Sequence, residues 1–125
     1  MRFFASVAVY LSFFWNLILV VGVVIGAEYA LPRAAGGQFE SFPNFIRLIY
    51  LITTAVVVYQ LYLWDRFIRG HKSNKYRIVK FFTYLGVVSV VVNLSSRSPY
   101  ERWNAIPAAI IAISFYKQSK DVRKD

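Results

Sequence analysis

Residues 3–27 contain no charged side chain, and about 20 apolar residues are enough to cross a hydrocarbon core of ~30 Å. Three more apolar runs follow within a chain of 125 residues. Inside a bilayer every backbone N–H and C=O must be satisfied by the protein itself, which leaves helices as the conformation for segments of this kind. The expectation is an all-α membrane protein, an antiparallel four-helix transmembrane bundle forming a single domain over residues 1–125. Composition agrees, with 58% hydrophobic and 17% charged residues against soluble averages of ~45–50% and ~25%.

The expected spans are residues 3–27, 43–64 extending to 69, 76–96 and 99–118. Met1-Arg2 before an apolar run has the look of a secretory signal. The run exceeds the ~7–15 apolar residues of such signals, and Ala27-Glu28-Tyr29 is a poor cleavage site, so a retained helix is expected. Pro32, Gly36 and Gly37 mark a loop after it. Pro43 suits the first turn of span 2, and Gly70 suits its stop. Span 4 is short if counted from Ala105, but Ser98-Pro99-Tyr100-Glu101 forms a capping box with proline at the first helical position. That moves the start back to Pro99, and Pro107 is then expected to kink the helix by removing the bond to the Trp103 carbonyl.

Orientation follows from the basic residues. Arg2, the 65–80 connection (Arg66, Arg69, Lys72, Lys75, Arg77, Lys80) and the tail (Lys117, Lys120, Arg123, Lys124) place 11 on one side, against Arg33, Arg47, Arg97 and Arg102 on the other. Both termini are therefore expected to be cytoplasmic, in a multi-pass protein of the plasma (inner) membrane. The net charge of +9 sits where topology signals and anionic lipid headgroups belong. It gives no support to nucleic acid as a partner; other membrane protein subunits are a possible one.

At 100° per residue, span 1 gathers Ala5, Ala8, Ser12, Asn16, Gly22 and Gly26 on one side, with Phe3, Val7, Tyr10, Phe14, Leu17, Val21 and Ile25 opposite. Small residues let helices approach closely in a bilayer, so the Gly22/Gly26 side is expected to face inward. Span 3 aligns Gly86, Ser89, Asn93 and Ser96. Span 4 aligns Glu101, Asn104, Ala105, Ala108 and Ala112, with Ile106, Ile110 and Ile113 behind. Span 2 groups Tyr50, Thr53, Thr54, Gln60 and Trp64. The expected helix-packing residues are Gly22, Gly26, Gly86, Ala108 and Ala112.

The chain has no cysteine and one histidine, His71, in a polar stretch. Thiol chemistry, thiolate metal sites and a bis-histidine haem are excluded within it. Spans 1 to 3 carry no Asp, Glu, Lys, Arg or His near the bilayer centre, unlike most proton-coupled carriers. No nucleophile–base pair is visible, so neither an enzyme nor a cofactor is expected. Two polar features remain. Asn16 is the one deep amide; it serves either an interhelical hydrogen bond, to Thr53, Thr54 or Ser89, or a ligand. Asn93, Arg97, Glu101, Arg102 and Asn104 crowd the outer end of the last hairpin, as caps and ion pairs or as a site for an anion or headgroup.

The stretch Asn93-Leu-Ser-Ser-Arg-Ser-Pro-Tyr-Glu-Arg-Trp-Asn-Ala-Ile-Pro-Ala with its apolar finish resembles the last hairpin of small, uncharacterised four-span bacterial membrane proteins. The resemblance is confined to this hairpin, and it implies a fold and a plasma-membrane location but no activity. The function expected from sequence is a non-enzymatic, structural or accessory membrane protein, of the kind that serves as a subunit of a larger membrane complex. The alternative is binding or transport of a small molecule, ion or lipid, and a polar cavity joining Asn16 to the outer cluster would favour it.

Overall fold

A computed structural model describes residues 2–34, 39–70, 76–96 and 98–124, and the side chains of those lying between residues 5 and 120. Among them every regular element is helical: α1 (Arg2–Ile25), a 3-10 segment (Glu28–Arg33), α2 (Asn44–Ile68), α3 (Tyr76–Leu94), α4 (Pro99–Arg102) and α5 (Ala105–Lys124). Three of these, α1, α2 and α3, are long and apolar enough to cross a membrane. The second half of α5 is polar, with Lys117, Gln118, Ser119 and Lys120.

The helix ends follow local chemistry. Gly26 takes φ +74°, its amide donates to Val23 O (3.1 Å), and the Ala27 amide reaches back to Gly22 O (2.8 Å). This pair of bonds closes the last carbonyls of α1 and needs a residue that tolerates the left-handed region. Gly26 thus terminates α1; it is not the helix-packing residue expected from its place in the Gly22/Gly26 pair. Gly70, at φ +84°, follows α2 in the expected way. Pro43 is the cap residue of α2 and lies just outside its first turn.

The last hairpin departs from expectation at one point. The Ser98 hydroxyl accepts the Glu101 amide (3.3 Å), with Pro99 at the first helical position, as its sequence indicates. However, the chain is not one kinked helix from 99 to 118. It turns at Trp103 and Asn104, so that Pro107 lies in the first turn of a new helix. A proline there has no intrahelical bond to lose. The clash with the carbonyl four residues back is thus resolved as a break at residue 103, not a bend at 107.

The long helices pack in the order α2, α1, α5, α3, and α2 scarcely touches α3. The α3–α5 contact is the most extensive. At its centre a Cβ built on Gly86 would stand 2.7 Å from Ala112 Cβ, a separation that only glycine permits. Bonds between elements fix which ends coincide. Tyr10 Oη donates to Asp65 Oδ1 (2.7 Å) and Gln118 Nε2 donates to Leu63 O (3.1 Å), which puts the start of α1 and the late part of α5 at the same end as the end of α2. We refer to this as the terminal end. The cap end holds the 3-10 segment and α4.

Each end has its own apolar core. At the terminal end, Val9, Phe13, Val57, Leu63, Trp64, Val79, Phe82, Ile111 and Phe115 are buried together. Phe13 meets Phe115 edge-on at 6.3 Å, Phe82 meets Phe115 at 5.3 Å and Tyr59 meets Phe82 at 6.0 Å. At the cap end, Leu19, Val23, Ala30, Ala34 and Phe42 form a smaller cluster.

The inward face of α1 differs from expectation. Val9, Ser12, Phe13, Leu19, Val20 and Val23 are buried, while Ala5 and Gly26 are exposed. At 100° per residue this face is rotated by roughly 60° from the small stripe. The reason lies across the interface. The neighbouring helix α5 already presents a small residue inward, Ala108, so bulky groups from α1 fill the space. Gly22 is buried under the ring of Tyr29, where an added Cβ would come within 2.5 Å of Oη. Its smallness admits the returning chain, not a neighbouring helix.

Candidate intramembrane cavity

Between the two apolar cores lies a cavity of about 550 Å³. One wall is α2, with Tyr50, Thr53, Val56, Val57 and Gln60; the facing wall is α3, with Leu85, Gly86, Ser89, Val92 and Asn93. Asn16, Leu19 and Val20 of α1 and Ala108 and Ile111 of α5 form the back. Arg33, Glu101 and Asn104 line it at the cap end. The ring cluster of Phe13, Tyr59, Phe82 and Phe115 lies toward the terminal end. The volume falls in the ~300–1,000 Å³ range of small-molecule sites.

Local structure explains each polar group. Asn16 was expected to find Thr53, Thr54 or Ser89 as a partner, and it finds none of them. Thr53 donates to Ile49 O (3.0 Å) and Thr54 to Tyr50 O (2.8 Å), each bonding back to its own helix as threonines in apolar helices do. Ser89 is taken by Asn93, whose Nδ2 reaches Ser89 O (2.8 Å) and Oγ (3.3 Å). The Asn16 amide borders the cavity with no hydrogen bond to the described protein. Gln60, 7% exposed, is in the same position.

Asn104 is structural and cavity-lining at once. It is 4% exposed; its Oδ1 accepts the Trp15 indole N–H (2.9 Å) and its Nδ2 donates to Arg33 O (3.2 Å). The Arg33 guanidinium stands over the Trp15 ring at 5.9 Å and the Tyr100 ring at 5.1 Å, close enough for a cation–π attraction. The Ser98 hydroxyl also donates to Pro32 O, which fastens α4 to the 3-10 segment. Glu101 is buried and lines the cavity.

Of the residues picked from sequence, Asn16, Asn93, Glu101 and Asn104 are thus gathered around one space. Arg102 is not among them. It is exposed, and its Nε donates to Ser96 O (2.7 Å), which caps the end of α3. Arg97 lies outside the described residues. Arg33 and Gln60 went unrecognised as site residues. Gln60 carried a signal, a buried-face amide one turn from Trp64. Arg33 carried none beyond its charge, because its place depends on how the 3-10 segment folds over α1.

Below the rings, toward the terminal end, Trp64 Nε1 and Gln118 Oε1 are buried without a partner. Among the described residues no group of three His, Cys, Asp or Glu side chains could hold a metal ion. Comparison of the chain with protein families, curated proteins and solved structures finds no match.

Proposed function

We propose that this chain is a four-span protein of the plasma membrane with both termini cytoplasmic, and that it binds a small molecule in the cavity between its helices. Four spans are supported by the packing of α5 along α3 and by its exposed Ile106, Ile113 and Tyr116, which continue the apolar girdle of the other helices. The orientation is supported by the gathering of basic residues at the terminal end, where Arg66, Arg69, Arg77, Lys80, Lys117 and Lys120 are all exposed and available to anionic headgroups.

One observation carries the binding reading: the Asn16 and Gln60 amides, without a hydrogen bond among the described residues, border the same space as Asn93, Glu101 and Asn104. Amides turned toward a space of this size are satisfied by what fills it, so such an arrangement is expected where a ligand or water completes it. A purely accessory role asks for a filled, dry interior and gives these amides no task. The aromatic cluster lies between the cavity and the terminal end, so binding is favoured over an open channel, and any transport requires those rings to part.

The test is purification of the wild type and of the Asn16→Leu/Gln60→Leu double variant, with thermal melting and mass spectrometry of organic extracts. Binding predicts a small molecule that is released from the wild type and absent from a variant of similar melting temperature. A variant that melts well below the wild type, with nothing released from either, would support the accessory role instead.

A further inference from the structure

We infer that the occupant of this cavity is an uncharged amphiphile dissolved in the bilayer, with a hydroxyl- or carbonyl-bearing head, and that it enters sideways between α2 and α3. The inference rests on the binding reading above and adds the ligand's class and its route.

The route follows from packing. Consecutive helices in a small bundle usually pack together, yet α2 and α3 scarcely touch while α1–α2, α1–α5 and α3–α5 are all close. A ring contact that joins them, Tyr59 to Phe82 at 6.0 Å, lies on the terminal side of the cavity. Above it the two helices face each other across open space. The lip of the gap is apolar, since Val92 lines the cavity and is also 58% exposed, with Val88 and Ile52 exposed nearby on the outer faces. At the cap end the alternative route is obstructed by the bonds from Ser98 to Pro32 O and from Asn104 to Arg33 O and by the Arg33 guanidinium lodged between two rings.

The class follows from the lining. Among the described residues the charged side chains bordering the cavity are Arg33 and Glu101, one of each sign, so this described lining offers a ligand no net charge. Deeper in, the available groups are the amides of Asn16 and Gln60. Each presents both a donor and an acceptor, which suits a hydroxyl or carbonyl, and neither carries the counter-charge that offsets burial of an ion. An apolar tail leaving through the Val92 lip meets lipid, where it loses nothing.

The experiment uses the full chain reconstituted in phosphatidylcholine nanodiscs with a photoreactive monoacylglycerol. Label is expected on peptides of α2 and α3, competed by unlabelled monoacylglycerol and not by glycerol. Gln60→Leu is expected to reduce it about fivefold, the effect of losing one buried hydrogen bond, and Val92→Trp to reduce it by obstructing the lip. Several results overturn the inference. Equal labelling by a photoreactive fatty acid or alkyltrimethylammonium of the same length removes the preference for an uncharged head. Competition by glycerol, with Val92→Trp inert, means entry from water and leaves the binding reading intact. Label indifferent to both substitutions removes the cavity from either account. Efficient disulfide formation between two Val92→Cys copies, with no label, assigns the face to a second copy of the chain.

Discussion

The Trp15 indole N–H donates to the Asn104 side-chain carbonyl at 2.9 Å, so one of the two residues at which the last hairpin turns is held by the middle of the first helix. Asn104→Leu removes this bond and the one to Arg33 O, and strands the indole N–H. We expect a loss of roughly 1–3 kcal/mol. Trp15→Phe, which deletes the donor, should make the same substitution milder. A double-mutant cycle by thermal or chemical unfolding measures the coupling, and strict additivity would argue against the bond.

The Gly86–Ala112 contact gives a second expectation. Gly86→Ala places a methyl 2.7 Å from Ala112 Cβ and should lower the melting temperature, with overpacking costs of about 1–3 kcal/mol. Ala112→Gly should restore much of the loss, because coupled neighbours are not additive. Gly26→Ala fails for a different reason, the left-handed backbone, at roughly 1–2 kcal/mol, and Ala112→Gly should not rescue it. Val21→Leu, on an exposed face, should be close to neutral.

Ser98 both accepts the Glu101 amide and donates to Pro32 O. Ser98→Ala should cost about 1 kcal/mol for the cap, plus the loosening of α4 from the 3-10 segment. Accelerated amide exchange at Ala30, Leu31 and Arg33 would report the second effect, and its absence would confine Ser98 to capping.

Topology is testable in a chain without cysteine. Glu40→Cys and Ser41→Cys, both at exposed positions, should label from outside intact cells, and Arg77→Cys should not. The reverse pattern would invert the protein. Ser98, an obvious loop position in the sequence, is buried here and would report poorly; Gly37 and Ser73, equally attractive on sequence grounds, lie outside the described residues.

How much of this was legible depends on which residues carry local rules. The Ser98 cap and the inward faces of α3 and α5 follow from spacing and short-range geometry, and the Ala105, Ala108 and Ala112 side of α5 is buried. The face of α1 did not follow, because in lipid the burial of bulky or small residues is set by the partner's shape and not by a shared aversion to water. Nor did the break at Trp103 follow, since proline allows a kink or a new start and tertiary bonds from Trp15 and to Arg33 accompany the second. The gap between α2 and α3 is the least legible feature. Periodicity gives each helix a face but not its neighbour, so the meeting of Asn16 with Asn93, Glu101 and Asn104 was visible only as a list of polar residues.

The packed rings of Phe13, Phe82 and Phe115 on the terminal side of the cavity have a consequence for the proposed membrane protein. Polar groups halfway through a bilayer are a hazard in an energised membrane, because a continuous aqueous thread lets protons and sodium run down their gradients. Three packed aromatic side chains on α1, α3 and α5 interrupt that thread with an apolar barrier. On the four-span reading proposed above, a protein so arranged would exchange an occupant with the surrounding lipid without discharging the potential across its membrane.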